Sequence, residues 1–68
     1  MIKFDIGDRV KVLNNLVNYE SYYDEYIGKI GIVSDYDDQG NVEVDGLDGF
    51  YTRIFNENNL EFVWRRNG

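Results

Sequence analysis

Hydrophobic and polar positions alternate in short stretches along most of this chain. Phe4, Ile6, Val10 and Val12 share one parity, with Asp5, Asp8, Arg9 and Lys11 falling largely between them. That period of two predicts a half-buried strand entered through a Gly7-Asp8 turn. Gly28-Lys29-Ile30-Gly31-Ile32-Val33 opens a second strand that runs to about Tyr36. Its two glycines three apart predict a bent strand with a bulge at Gly31, which turns Ile30 and Val33 inward and leaves Ile32 near the surface. Asp37-Asp38-Gln39-Gly40-Asn41 reads as a hairpin turn with Gly40 left-handed. Asn41 to Asp45 alternates cleanly as a third strand with Val42 and Val44 inward, Gly46 to Gly49 turns the chain, and Phe50 to Phe55 is a fourth strand. Asn56-Glu57-Asn58-Asn59 suits a single 3-10 turn before a last strand, Leu60 to Trp64. The expected core is Phe4, Ile6, Val10, Val12, Ile30, Val33, Val42, Val44, Phe50, Leu60 and Phe62.

Residues 14–27 break the pattern. Asn14, Asn15 and Asn18 favour leaving the sheet, and Tyr19, Tyr22, Tyr23 and Tyr26 then follow the i, i+3, i+4, i+7 spacing of one helical face. Ser21 with Asp24 three residues on reads as a capping box, and Gly28 stands where a helix would stop. A turn or two of helix or 3-10 helix is expected inside a long first loop. Its rings either close one end of the fold or form an exposed aromatic binding face.

These elements predict an all-β protein: a single five-stranded antiparallel barrel of SH3-like form over residues 1–64, followed by a frayed tail over residues 65–68. Gly7-Asp8-Arg9-Val10-Lys11-Val12 followed by Gly28-Lys29-Ile30-Gly31-Ile32-Val33 resembles the KOW-type SH3-like domains of ribosomal proteins and transcription elongation factors. The likeness covers roughly residues 4–45, and Asn59-Leu60-Glu61-Phe62-Val63 is similar to the last strand of such domains. The resemblance implies RNA or DNA binding linked to translation or transcription, and Arg9, Lys11 and Lys29 are the candidate phosphate contacts. Tyr23-Asp24-Glu25-Tyr26 also resembles the aromatic-acidic loop of eukaryotic SH3 domains, but the tryptophan expected after the second strand is absent, the lone Trp64 lying near the C-terminus.

Composition narrows the function. Sixty-eight residues make one domain, and 43% hydrophobic with 16% aromatic residues suffice for a compact core. There is no cysteine and no histidine, so thiolate chemistry, disulfides and the commonest general base are excluded. No spacing singles out a catalytic carboxylate pair, and the expectation is a non-enzyme without cofactor. Asp35 to Gly40 partly matches a calcium loop but has Gln39 at the fifth position and Gly46 at the twelfth, where a bidentate acid is needed, so no metal site is expected. The N-terminus has no signal-like run, which predicts a cytoplasmic protein. Abundant Asn, Tyr, Asp and Ile without Pro or His suggest an AT-rich genome such as that of a phage or mobile element, in which case the host cytoplasm is the compartment.

Thirteen acids against seven bases give a net charge of −6, which disfavours polyanions and membranes and favours a partner with a basic surface. Asp35, Asp37, Asp38, Asp45 and Asp48 crowd together with Glu43 onto one hairpin and the turn after it, and four of the tyrosines fall within residues 19–26. Carboxylates on such a face either mimic the phosphates of a nucleic acid or serve solubility. The expected function is therefore a non-catalytic protein-binding module that docks on a nucleic-acid-handling host protein, an anti-defence inhibitor such as an anti-CRISPR protein being one instance. Its candidate contacts are these five aspartates with Tyr19, Tyr22, Tyr23 and Tyr26.

Overall fold

The computed structural model describes residues 3–14 and 21–66, with Ser21 and Tyr22 described by their backbone alone. Five strands follow one another: β1 (Arg9–Val12), β2 (Ile30–Tyr36), β3 (Val42–Asp48), β4 (Tyr51–Phe55) and β5 (Leu60–Trp64). A 3-10 helix over Ser21–Tyr26 precedes β2, and another over Glu57–Asn59 joins β4 to β5. Asn56 caps the second by accepting a hydrogen bond from the backbone N–H of Asn58. Among the described residues no helix is long and apolar enough to cross a membrane.

The strands form one sheet in the order β4-β3-β2-β1-β5, every neighbouring pair antiparallel. Among the described residues the two edges, β4 and β5, do not pair, so the sheet is not closed by hydrogen bonds. It must nevertheless curl. From Phe55 to Leu60 the chain runs through the short 3-10 helix, and at about 2.0 Å per helical residue the link reaches roughly 13 Å. A flat five-stranded sheet would hold its edges roughly 19 Å apart. Curling brings the inward residues of all five strands into one core: Phe4, Val10, Val12, Tyr26, Val33, Val42, Val44, Leu47, Phe55 and Leu60. Tyr36 fixes the chain before β1 to this core, its hydroxyl donating to the carbonyl of Phe4 and accepting from the Phe4 N–H.

Four expected core residues face solvent instead. Ile6 lies in the turn ahead of β1, outside the strand that would have set its parity. Ile30 points outward because β1 and β2 pair in unbroken register (Arg9 opposite Ile32, Val10 opposite Gly31, Lys11 opposite Ile30), with no bulge at Gly31. Gly31 takes the inward position itself, for a Cβ there would lie 2.6 Å from both the carbonyl oxygen of Asp45 and Cγ1 of Val44. The register shift in β2 comes later, between Val33 and Asp35. Phe50 sits at the tip of the β3–β4 turn, fully exposed at 104%, and its place in the core is taken by Phe55, of opposite parity. Phe62 is displaced by a register shift between β1 and β5 at Arg9/Val10, and the guanidinium of Arg65 lies 5.3 Å from its ring centre.

Two further inward groups join the core from outside the expected strands. β3 continues past Asp45 through Gly46, whose φ of +87° carries the chain across a register shift against β4 and brings Leu47 inward. Asp8 is also enclosed, at 1% exposure. Its carboxylate accepts a fork from Arg65, Nε to Oδ1 and Nη2 to Oδ2 at 2.9 Å each, and a third bond from the Asp5 N–H. This pairing ties the residue after β5 back to the entry of β1, and the Arg65 hydrogen bonds hold the Asp8 carboxyl below the usual carboxylate range.

Candidate protein-binding face

Tyr23 and Tyr26 do not make an exposed face. In a 3-10 helix, residues three apart eclipse one another, and Tyr23 and Tyr26 accordingly meet edge to face at 5.6 Å between ring centres. Both pack on Phe55, Tyr23 at 4.9 Å and Tyr26 at 6.4 Å. Tyr26 is buried and Tyr23 half-buried, so they close one end of the core. Tyr19 and the side chain of Tyr22 lie outside the described residues.

Two of the five candidate aspartates are used internally. Asp48 accepts from the Tyr26 hydroxyl at 2.9 Å and pairs with Nη2 of Arg53, while Arg53 Nε donates to the same hydroxyl at 2.8 Å. The triangle has clear electrostatic consequences. The Tyr26 hydrogen bond and then the Arg53 cation pull Asp48 below its ordinary value, whereas burial pushes the Tyr26 hydroxyl up. Arg53 is driven further towards its charged form, first by the Tyr26 bond. Asp37 holds the β2–β3 turn: its carboxylate accepts from the backbone N–H groups of Gln39 and Asn41 and from Nδ2 of Asn41, the Asn41 N–H being the main reason that its pKa falls. Its oxygens are thus aimed into its own turn, the local Asx geometry that a sequence of this kind favours. Among the described residues no group of three acids is disposed to hold a metal ion.

The acids that remain on the outer surface are Asp35, Asp38 and Asp45, joined by Glu43. Inward Val42 and Val44 force Glu43 and Asp45 outward, and the shifted β2–β3 register sets Asp35 directly opposite Glu43. Among the described residues none of the four is in an ion pair. Asp45 accepts from the hydroxyl of Thr52 on β4, and Asp35 from the Tyr36 N–H. Like charges facing each other across two strands oppose pairing, by a few tenths of a kcal/mol to about 1 kcal/mol. Neither a salt bridge nor a buried polar contact of the fold offsets this pair.

The three basic candidates do not form one patch. Arg9 and Lys11 project from the outer face of β1, where the Arg9 guanidinium lies 5.6 Å from the ring centre of Trp64, its partner on β5. The Lys29 ammonium instead sits 5.8 Å from the Tyr26 ring, within the field of Asp48. Across the outer face one row runs Trp64, Arg9, Ile32, Asp45 in register, so charge changes sign from β1 to β3. Trp64 and Ile32 were not among the sequence candidates. Which strands are neighbours decides their role, and alternation alone does not carry that. No family model, curated protein or solved structure matches this chain.

Proposed function

We propose that this chain is a small, non-catalytic protein-binding module whose outer face on β2 and β3 docks onto a basic surface of another protein. The observation that carries the reading is the Asp35–Glu43 opposition with Asp45 beside it: carboxylates that enter no ion pair of the described fold, held together on one sheet. A partner that normally handles nucleic acid supplies the complementary surface, and a cytoplasmic phage or mobile-element inhibitor of host defence fits both this surface and the composition. The Asp37 and Asp48 carboxylates support the scaffold, and the docking contacts are Asp35, Asp38, Glu43 and Asp45.

The test is capture from host lysate with the wild-type protein and with a variant carrying Asp35→Asn, Asp38→Asn, Glu43→Gln and Asp45→Asn. The reading predicts a basic protein retained by the first, an association rate that falls as salt rises, and a slower, salt-insensitive rate for the variant. Equal rates for both proteins at low salt would remove it. A second reading, a KOW-like nucleic-acid contact, draws on the Arg9–Trp64 stack beside Lys11. It predicts a complex with single-stranded RNA or DNA at low salt that Trp64→Ala weakens.

A further inference from the structure

The two free edges of the sheet are built differently. β5 carries the devices that discourage edge pairing: a register shift against β1, the charged Glu61, and the basic pair Arg65 and Arg66 immediately after it. β4 has none of them. Its sequence is Tyr51-Thr52-Arg53-Ile54-Phe55, without lysine or proline. Its one charge, Arg53, is turned inward onto Asp48 and Tyr26. The register shift of the β3–β4 pair falls among residues 45–47 of β3 and leaves β4 itself regular. Beside this bare edge are the large apolar groups Phe50, Tyr51 and Ile54, at 104%, 65% and 44% exposure.

From this we infer that β4 pairs antiparallel with β4 of a second copy, joining two five-stranded sheets into one continuous sheet about a two-fold axis. A second copy is favoured over a foreign strand by self-complementarity, and at this edge net charge does not forbid it. Each copy carries −6, and two such molecules repel wherever acids meet. The outward positions of β4, Thr52 and Ile54, are neutral. Reversed on themselves, they set β-branched residues against β-branched residues, a favourable cross-strand match. The nearest unpaired carboxylates stand one strand back on β3, which places those of the two copies roughly 14 Å apart, beyond the Debye length of about 8 Å in physiological salt. The exposed ring of Phe50 then reaches past the end of its own strand, along the partner sheet.

Self-association uses the backbone edge of β4 and docking uses the carboxylates of the neighbouring strands, and salt separates the two. Added salt strengthens the dimer by screening like-charged copies, whereas it weakens docking on a basic protein. Sedimentation equilibrium of the full chain from micromolar to millimolar concentration, at low and high salt, tests the inference. The expected result is a reversible dimer favoured by high salt, with amide-exchange protection of Thr52 to Ile54 rising with concentration. Ile54→Lys places a charge opposite Thr52 of the second copy, on an edge that now carries the lysine that discourages pairing, and should weaken dimerisation at least tenfold. Phe50→Ser, at a position that makes no core contact, should weaken it several-fold while leaving the thermal transition in place. A strictly monomeric protein at high salt overturns the inference. So does a dimer that survives both variants, or one abolished by Trp64→Ser instead, since the contact would then lie on another surface.

Discussion

Replacing Gly31 with alanine should destabilise the protein, against the usual sign for such a change. Gly31 has no positive φ, and glycine in a strand ordinarily costs about 0.5–1 kcal/mol relative to alanine, so on backbone grounds the substitution is favourable. Packing reverses this. The added methyl would stand 2.6 Å from the Asp45 carbonyl oxygen, 2.6 Å from Val44 Cγ1 and 3.1 Å from Leu47 Cδ2. Val44 is fully buried and the Asp45 carbonyl is part of the chain that pairs with β2, so neither yields without moving β3. Overpacking of this kind costs typically 1–3 kcal/mol, and contact with backbone puts this case in the upper half of that range. After the backbone gain, a net loss of about 1–2.5 kcal/mol remains, which for a domain of this size lowers Tm by roughly 4–20 °C. Thermal melts followed by circular dichroism, with urea titration as a second measure, read the change. An alanine variant as stable as the parent, or more so, would refute the claim that β2 and β3 meet backbone to backbone at this position.

Other expectations follow from the same packing. Phe50→Ala should leave the monomer's stability within about 0.5 kcal/mol, whereas Phe55→Ala should cost about 3–5 kcal/mol, because only the second ring is buried; urea denaturation of the two variants compares them directly. Asp8 is held below its ordinary pKa, so the stability it contributes is complete above the usual carboxylate range and is lost as pH falls through the lowered value. Asp8→Asn should therefore flatten the acid limb of a Tm-against-pH curve, while Asp8→Ala should cost on the order of 2 kcal/mol near neutrality, less than for a wholly buried ion pair because Arg65 is half exposed. Tyr26 and Tyr36 are both raised, chiefly by burial, so their contribution is complete below the ordinary tyrosine range and is lost as pH rises through the raised values. Ultraviolet titration should show these two ionising above the ordinary tyrosine range, and Tyr36→Phe should make the alkaline fall in Tm shallower.

The strand order along the chain was legible because alternation and turn chemistry agree at each boundary, most clearly at Asp37–Asn41 and at Asn56–Asn59. Side-chain direction was less so where two parities fit equally well. Phe50-Tyr51-Thr52-Arg53-Ile54-Phe55 offers an inward set through Phe50 or through Phe55, and only the contact of Phe55 with Tyr23 chooses between them. Glycine in a strand admits either a bend or a close approach, and at Gly31 the close partner, Val44, is not local in sequence. The candidate site split for the same reason. Tyr26, Asp48 and Arg53 form one triangle from three separate segments, so an acid and an aromatic that looked available are engaged within the fold. The surviving face of Asp35, Glu43 and Asp45 depends on the β2–β3 register, which a shift between Val33 and Asp35 sets and which alternation does not predict.

The most direct test of the proposed function is a paired measurement on the Asp35→Asn, Glu43→Gln double variant: its folding stability, and its association rate with the protein captured by the wild type. Removing two facing like charges should leave stability unchanged or raise it by a few tenths of a kcal/mol, while association slows and loses much of its salt dependence. A variant that folds less stably yet binds its partner at the wild-type rate would contradict the account, since the carboxylates would then serve the sheet and not a partner.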